Sequence, residues 1–196
     1  MTKNKAILTV IAGSQQLRTE LWQSYFEESI QKAIDGTPDE LLKEMIEHLS
    51  SVAKISDAYI IVHDKDTKNV WNPELKKYEK VLKSLHVHFL FKFSEGATLT
   101  EIANALNLEI QYLEKPKSGR YAYDNLLSYL VHAKDYNKFL YSPSEVVTLL
   151  GEDYETIYNE RIHVWEKGRA KKTSQQAKFD VEALIMDIIV GKIKKA

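Results

Sequence analysis

Hydrophobic and polar positions alternate most regularly over residues 85–93, Leu-His-Val-His-Phe-Leu-Phe-Lys-Phe. A period of two in a run rich in aromatic and branched residues predicts a β-strand with two unlike faces. Leu85, Val87, Phe89, Phe91 and Phe93 share one face, and His86, His88, Leu90 and Lys92 the other. The first face is core. On the second, the two imidazoles stand about 7 Å apart along the strand. That is near enough to converge on one metal ion, and equally what a plain polar sheet face would show.

The same reading extends along the chain. Ala6 to Ala12 predicts a first strand bounded by Gly13-Ser14, and Leu17, Leu21, Tyr25, Phe26 and Ile30 give a helical stripe over residues 15–34, stopped by Gly36. Thr37-Pro38-Asp39-Glu40 has the form of a capping box opening a helix to about Val52. Ile55 to Val62 predicts a second strand, ending in the polar tetrapeptide His63-Asp64-Lys65-Asp66. Residues 67–84 read as a long polar connection whose lysines, Lys76, Lys77, Lys80 and Lys83, suit either a solvated flap or a DNA contact. Thr98 and Glu101 form a second capping box, for a helix ended by Asn107. A further strand follows over Leu108 to Leu113. Tyr123, Leu126, Leu127, Leu130 and Val131 then mark the apolar stripe of another helix.

This order predicts an α+β chain with a ferredoxin-like, split βαβ antiparallel sheet and helices on one face. Beyond residue 145 the composition shifts. Helical stretches over 145–150 and 154–165 precede a basic, polar linker, residues 166–176, and then an amphipathic helix from Ala177 to Lys195 carrying Val181, Leu184, Ile185, Ile188, Ile189 and Ile193. An apolar stripe that broad is not stable alone. It must pack on the domain, on another copy, or on sequence that follows in a longer natural protein. Two units result: residues 1–145, and a helical C-terminal extension, 146–196.

Composition narrows the function classes. The chain has 196 residues, 44% of them hydrophobic, a formal net charge of −1 and no cysteine, so any basic surface is local, and disulfide scaffolds and thiolate metal sites are excluded. No stretch reaches the roughly 18 apolar residues of a membrane span, and the start lacks a signal peptide's pattern, so a cytoplasmic protein is expected.

Six histidines are present, and four of them recur in an ordered pattern: His63-Asp64-Lys65-Asp66, then His86-Val87-His88 in a hydrophobic strand, then Tyr129-Leu130-Val131-His132. Over roughly residues 5–145 this resembles the HUH endonucleases, and most closely the RepB-like (Rep_2) initiators of small rolling-circle plasmids. The resemblance implies an HUH-nuclease type of fold with a divalent metal, manganese or magnesium, held by His63, Asp66, His86 and His88. Tyr129 is then the nucleophile that nicks and rejoins one strand at the plasmid origin through a 5′-phosphotyrosine.

The implied partners are plasmid origin DNA, as a double-stranded binding site and a single-stranded or hairpin nick site, and the host replication helicase and polymerase. The C-terminal helices imply a homo-oligomer. Two departures stand out: the connection before His86 and the helical stretch after the first strand are longer than in the smallest members. His132 occupies the place where many single-tyrosine relatives carry lysine, as it does in RepB-like members. Its spacing makes it a candidate base or a structural histidine. A relaxase or transposase of the HUH type, or a non-catalytic DNA-binding module of this fold, are the alternatives. No residue is assigned to base contacts.

Overall fold

A computed structural model describes residues 6–189. The chain runs β1 (Ile7–Gln16), α1 (Glu27–Ile34), α2 (Asp39–Leu49), β2 (Ile55–His63), β3 (Thr67–Asn72), β4 (Lys77–Leu82), β5 (His86–Thr98), α3 (Leu99–Leu106), β6 (Leu113–Glu114), α4 (Ala122–Leu130), β7 (Val147–Leu150), α5 (Tyr154–Ile157) and α6 (Val164–Ile189). Five strands form one sheet in the order β6-β1-β5-β2-β7, every pairing antiparallel. Within it, β1, β2, β5 and β6 with their crossover helices make the expected ferredoxin-like α+β arrangement, and α6 is a C-terminal helical extension.

The two faces of β5 separate as its alternation predicts. Val87, Phe89, Phe91 and Phe93 join Ile11 and Ile60 in a core closed by Phe26 and Ile30 and by Leu41, Leu42 and Met45 of α2. Leu90 faces the other way, with Val10, Tyr59 and Ile61, under Leu126, Leu127 and Leu130 of α4 and Tyr154 and Ile157 of α5. The helical cover is therefore not confined to one face. The second layer exists because Tyr59, Ile61 and Leu90 would otherwise present an apolar surface to water.

Several boundaries differ from expectation for physical reasons. β1 continues through Gly13-Ser14 to Gln16, since Gly13 lies opposite Phe89 where a Cβ would meet the ring at 2.3 Å. Of the helix expected over 15–34, residues 27–34 form α1, while the part before it gives way to the end of β1 and two 3₁₀ turns, Thr19–Leu21 and Ser24–Phe26, and the Trp22 indole donates to the Gln16 carbonyl. Thr37 does not cap α2: its hydroxyl donates back to the Lys32 carbonyl, and Pro38 occupies the cap position. The Thr98–Glu101 capping box forms, and Asn107 ends α3 in the left-handed conformation.

The connection over 67–84 is the β3–β4 ribbon, a sheet of its own. Residues 108–112 contain a 3₁₀ turn, which shortens the expected strand to Leu113–Glu114. The stretch over 145–150 is not helical: after a 3₁₀ turn at Pro143–Glu145, β7 pairs with β2 in the main sheet. The expected linker over 166–176 lies within the continuous helix α6. Of the amphipathic stretch, Val181 and Ile185 are exposed, while Ile193 and Lys195 lie outside the described residues. Among the described residues no helix is long and apolar enough to cross a membrane.

Candidate metal centre and nucleophile

β2 and β5 pair so that His63 stands opposite His86 and Ile61 opposite His88. These imidazoles lie on the α4 side of the sheet, where the period of two puts them together with Tyr59, Ile61 and Leu90. The chain turns immediately after His63 and returns Asp66 to the same place. Nearly all of this is buried: His63 is 1% exposed, Asp66 3%, His86 9% and His88 4%.

Ligand-capable atoms fall into two groups that share His63: His63, Asp66 and His86, and His63, His88 and His132. In each group they lie within 4.8 Å of one another. His88 thus sits nearer His132 than the sequence-based set of four suggests, its ring stacked on His63 at 4.2 Å between centroids.

The hydrogen bonds around these rings fix which nitrogen faces inward. His63 donates from Nε2 to the Leu130 carbonyl at 2.7 Å, leaving Nδ1 bare and 3.7 Å from Asp66 Oδ2. His86 donates from Nδ1 to the Ser84 carbonyl at 2.9 Å, leaving Nε2 bare and 3.4 Å from the same oxygen. His132 donates from Nδ1 to the Phe139 carbonyl at 3.1 Å. Neither Asp66 oxygen has a hydrogen-bond partner, nor does Nδ1 of His63 or of His88. Lone pairs of two imidazoles therefore point at a buried carboxylate, which is costly unless a cation lies among them. Outer nitrogens on backbone carbonyls and inner nitrogens converging on a carboxylate is how metal-binding histidines are held. The donor set fits a divalent ion that accepts nitrogen and oxygen ligands.

Charge states agree with this fit. Burial, reinforced by the neighbouring histidines, pushes the His88 imidazole well below its usual value, and burial also lowers His86. Burial pushes His132 down to about 3. Burial opposes ionisation of Asp66, but its contacts with His63 and His132 and the Lys83 ammonium outweigh it and hold the carboxyl below the usual range. Neutral imidazoles and an ionised carboxylate are the forms that bind metal.

Tyr129 lies in the last turn of α4, half-buried, its ring 4.9 Å from His88 and 5.7 Å from His132 between centroids. His132 lies three residues beyond Tyr129 but outside the helix. α4 ends at Leu130, and His132 is left-handed at φ 59°. Burial, then the carboxylates of Glu114, Asp66 and Asp135, raise the Tyr129 phenol above its ordinary value. The Lys138 ammonium lies 4.8 Å from the centre of that ring. Asp66, His86, His88, Tyr129, Lys83 and Lys138 all line one cleft of about 320 Å³, bordered by Ser14 and Gln16 of β1.

Three contributors escaped the sequence reading. Tyr141, fully buried, stacks on His63 at 4.1 Å and 6° between planes, and its hydroxyl accepts from the Lys65 amide at 2.8 Å. Lys83 places its ammonium 3.8 Å from Asp66. The Leu130 carbonyl belongs to a helix end, which leaves such groups in need of donors. A helix ending just after a tyrosine was the one available signal for the last.

Residues 29–155 match the family model for the plasmid replication protein origin-binding domain. The chain belongs to this family. It is accordingly a plasmid replication initiator protein whose domain binds plasmid origin DNA. The matched span covers α1 to α5 and includes His63, Asp66, His86, His88, Tyr129 and His132. No curated protein matches the chain.

Proposed function

We propose that this origin-binding domain is a RepB-like, HUH-type enzyme that nicks and rejoins one strand of the plasmid origin. One observation carries the reading: Asp66 and His86 of one ligand group, His88 of the other and Tyr129 line a single cleft large enough for a phosphodiester. A manganese or magnesium ion, held by His63, Asp66, His86 and His88, would polarise the non-bridging phosphate oxygens and offset the charge that builds in the transition state.

The chain's own residues account for the remaining steps. Tyr129 Oη gives up its proton to solvent and attacks phosphorus, the bond to the 3′ oxygen breaks with its electron pair, and that oxygen takes a proton from solvent to become a 3′-hydroxyl. The 5′-phosphotyrosine formed conserves the bond energy, so attack by a 3′-hydroxyl reverses the step without ATP. A buried phenol gives up its proton reluctantly, and the Lys138 ammonium stands over the same ring. The second-layer carbonyls of Leu130, Ser84 and Phe139 hold the imidazoles in place throughout. The released 3′-hydroxyl is a primer for a host polymerase. Recruitment of the host helicase and self-association through α6 belong to the same proposal.

The test is a denaturing gel and peptide mass spectrum after incubation with manganese and single-stranded oligonucleotides tiling the plasmid origin. A covalent adduct on Tyr129, absent from Tyr129→Phe while origin binding persists, is the expected result. Nicking by Tyr129→Phe at the wild-type rate sinks the assignment. Intact oligonucleotide across the whole panel means a binding module without chemistry.

A further inference from the structure

Between Asp66 and His86 the chain leaves the main sheet and folds into a separate two-stranded ribbon. Its register pairs Thr67 with Leu82, Lys68 with Val81, Asn69 with Lys80, Val70 with Glu79, Trp71 with Tyr78 and Asn72 with Lys77. The root is the metal-site turn itself, since the Lys83 amide donates to the Asp66 carbonyl at 2.8 Å. The tip is held by Asn72, whose side-chain oxygen accepts from the amides of Glu74 and Leu75.

Two features of this ribbon bear on what it binds. Residues 67–83 contain five lysines (68, 76, 77, 80, 83) against two glutamates (74, 79), a balance of +3 in a chain of formal charge −1. Large rings are exposed on it: Trp71 at 49% and Tyr78 at 69%, edge to face with centroids 5.2 Å apart. Cross-strand pairing stabilises a ribbon by only a few tenths to about one kcal/mol, and it does not call for leaving so much ring in water. Partners in the register share a face, so Lys80 lies beside Trp71 and Tyr78 on one side. On the other side, Lys68 and Lys83 line the cleft that holds Asp66 and Tyr129.

Cations at a phosphate-sized cleft, with exposed aromatic rings and a further lysine on the opposite face of the same narrow ribbon, supply the two components of a single-strand binding track. Duplex DNA hides its base faces in the stack, and only an unpaired strand offers them to a ring. We propose that the β3–β4 ribbon is an arm for single-stranded DNA. In this arrangement Lys68 and Lys83 carry phosphates out of the cleft, the strand turns round the edge of the ribbon, and on the far face Lys80 contacts the next stretch of backbone while Trp71 and Tyr78 stack on bases. Four residues of strand separate Thr67 from Trp71, roughly 13 Å, so the stacked bases lie a few nucleotides from the strand segment in the cleft. The arm deepens the origin-binding role and needs neither Tyr129 chemistry nor a bound ion.

The probes are fluorescein-labelled oligothymidylate of about 20 nucleotides and a mixed-sequence duplex of the same length, titrated in EDTA by anisotropy with the full chain. Stacking strengths imply that Trp71→Ala and Tyr78→Ala each weaken oligothymidylate binding about tenfold, leave duplex binding within about twofold, and leave the thermal midpoint nearly unchanged. Trp71→Phe keeps a ring and restores binding. Lys80→Gln reduces the salt slope on the single strand by roughly 0.7. Unchanged oligothymidylate affinity in both alanine variants overturns the proposal. So does an equal loss on single strand and duplex, or a change of oligomeric state in light scattering without a change in DNA affinity. Because these titrations contain no metal, failure of the nicking reaction would leave their outcome untouched.

Discussion

His63 Nε2 donates to the carbonyl of Leu130 at 2.7 Å, so the end of a central strand caps the end of the helix that carries Tyr129. A carbonyl only accepts, so the proton must be on Nε2. His86 holds its proton on the opposite nitrogen, Nδ1, because its partner is the Ser84 carbonyl. Long-range nitrogen–proton NMR correlations of the metal-free protein at neutral pH should therefore show His63 protonated on Nε2 and His86 on Nδ1. Observation of the same tautomer for both would contradict the arrangement of bare nitrogens around Asp66.

Tyr141 supports His63 from its other face and accepts the Lys65 amide, which orders the turn leading to Asp66. Removing only the hydroxyl, in Tyr141→Phe, should lower stability by about 1 kcal/mol, the net value of one hydrogen bond, and keep the stack. Tyr141→Ala should cost ~3–5 kcal/mol, as for other large buried rings. Urea denaturation gives both values; an alanine variant as stable as wild type would mean the ring is not packed as described.

Bare nitrogens of His63 and His86 face Asp66, an arrangement that favours a cation among them, and the Lys83 ammonium lies 3.8 Å from the same carboxylate. Asp66→Asn gives up that ion pair but supplies an N–H that His63 or His86 can accept, so in EDTA the variant's midpoint should stay within about 4 °C of the wild type's. Manganese should raise the wild-type midpoint and scarcely move that of the variant. Equal shifts in the two proteins would remove Asp66 from the ligand set.

Three buried tyrosines and one partly buried one set the alkaline limit of stability. Burial, first among the causes for each, raises the phenols of Tyr59, Tyr123, Tyr141 and Tyr154 above the ordinary value. Tyr59 and Tyr154 also donate to the carbonyls of Glu152 and Leu127. The folded values exceed the unfolded value near ~10, so the unfolded chain releases protons first. Stability is complete below that pH and falls above it, by up to about 1.4 kcal/mol per pH unit for each such group. Denaturation midpoints that stay level above pH ~10, where unfolded tyrosine ionises, would show that these rings are open to water.

What the sequence made legible was whatever periodicity or a capping pair dictates locally. The two faces of β5, the β2 strand ending at His63, the Thr98–Glu101 box and the left-handed Asn107 all appear where side-chain pattern predicts them. The stripe Leu17, Leu21, Tyr25 misled, because two 3₁₀ turns with Leu17, Trp22 and Phe26 buried satisfy nearly the same spacing as an α-helix. The β3–β4 ribbon was hidden by its own exposure: with no core face, its alternation carries no apolar contrast. Tyr141 could not be singled out among 11 tyrosines, since its place under His63 depends on the chain reversal at His132. β7 is held by one neighbouring strand and is half-buried throughout, too short for a period to emerge.

The hydrogen-bond ladder between β2 and β5 is also the ruler of the site. A slip of one residue would turn His86 and His88 toward α1–α3 and bring Val87 and Phe89 to the α4 side in their place. Donor spacing is thus inherited from backbone pairing and cannot be tuned one ligand at a time. The ribbon past Asp66 forms a sheet of its own, so a change in its length leaves that spacing untouched.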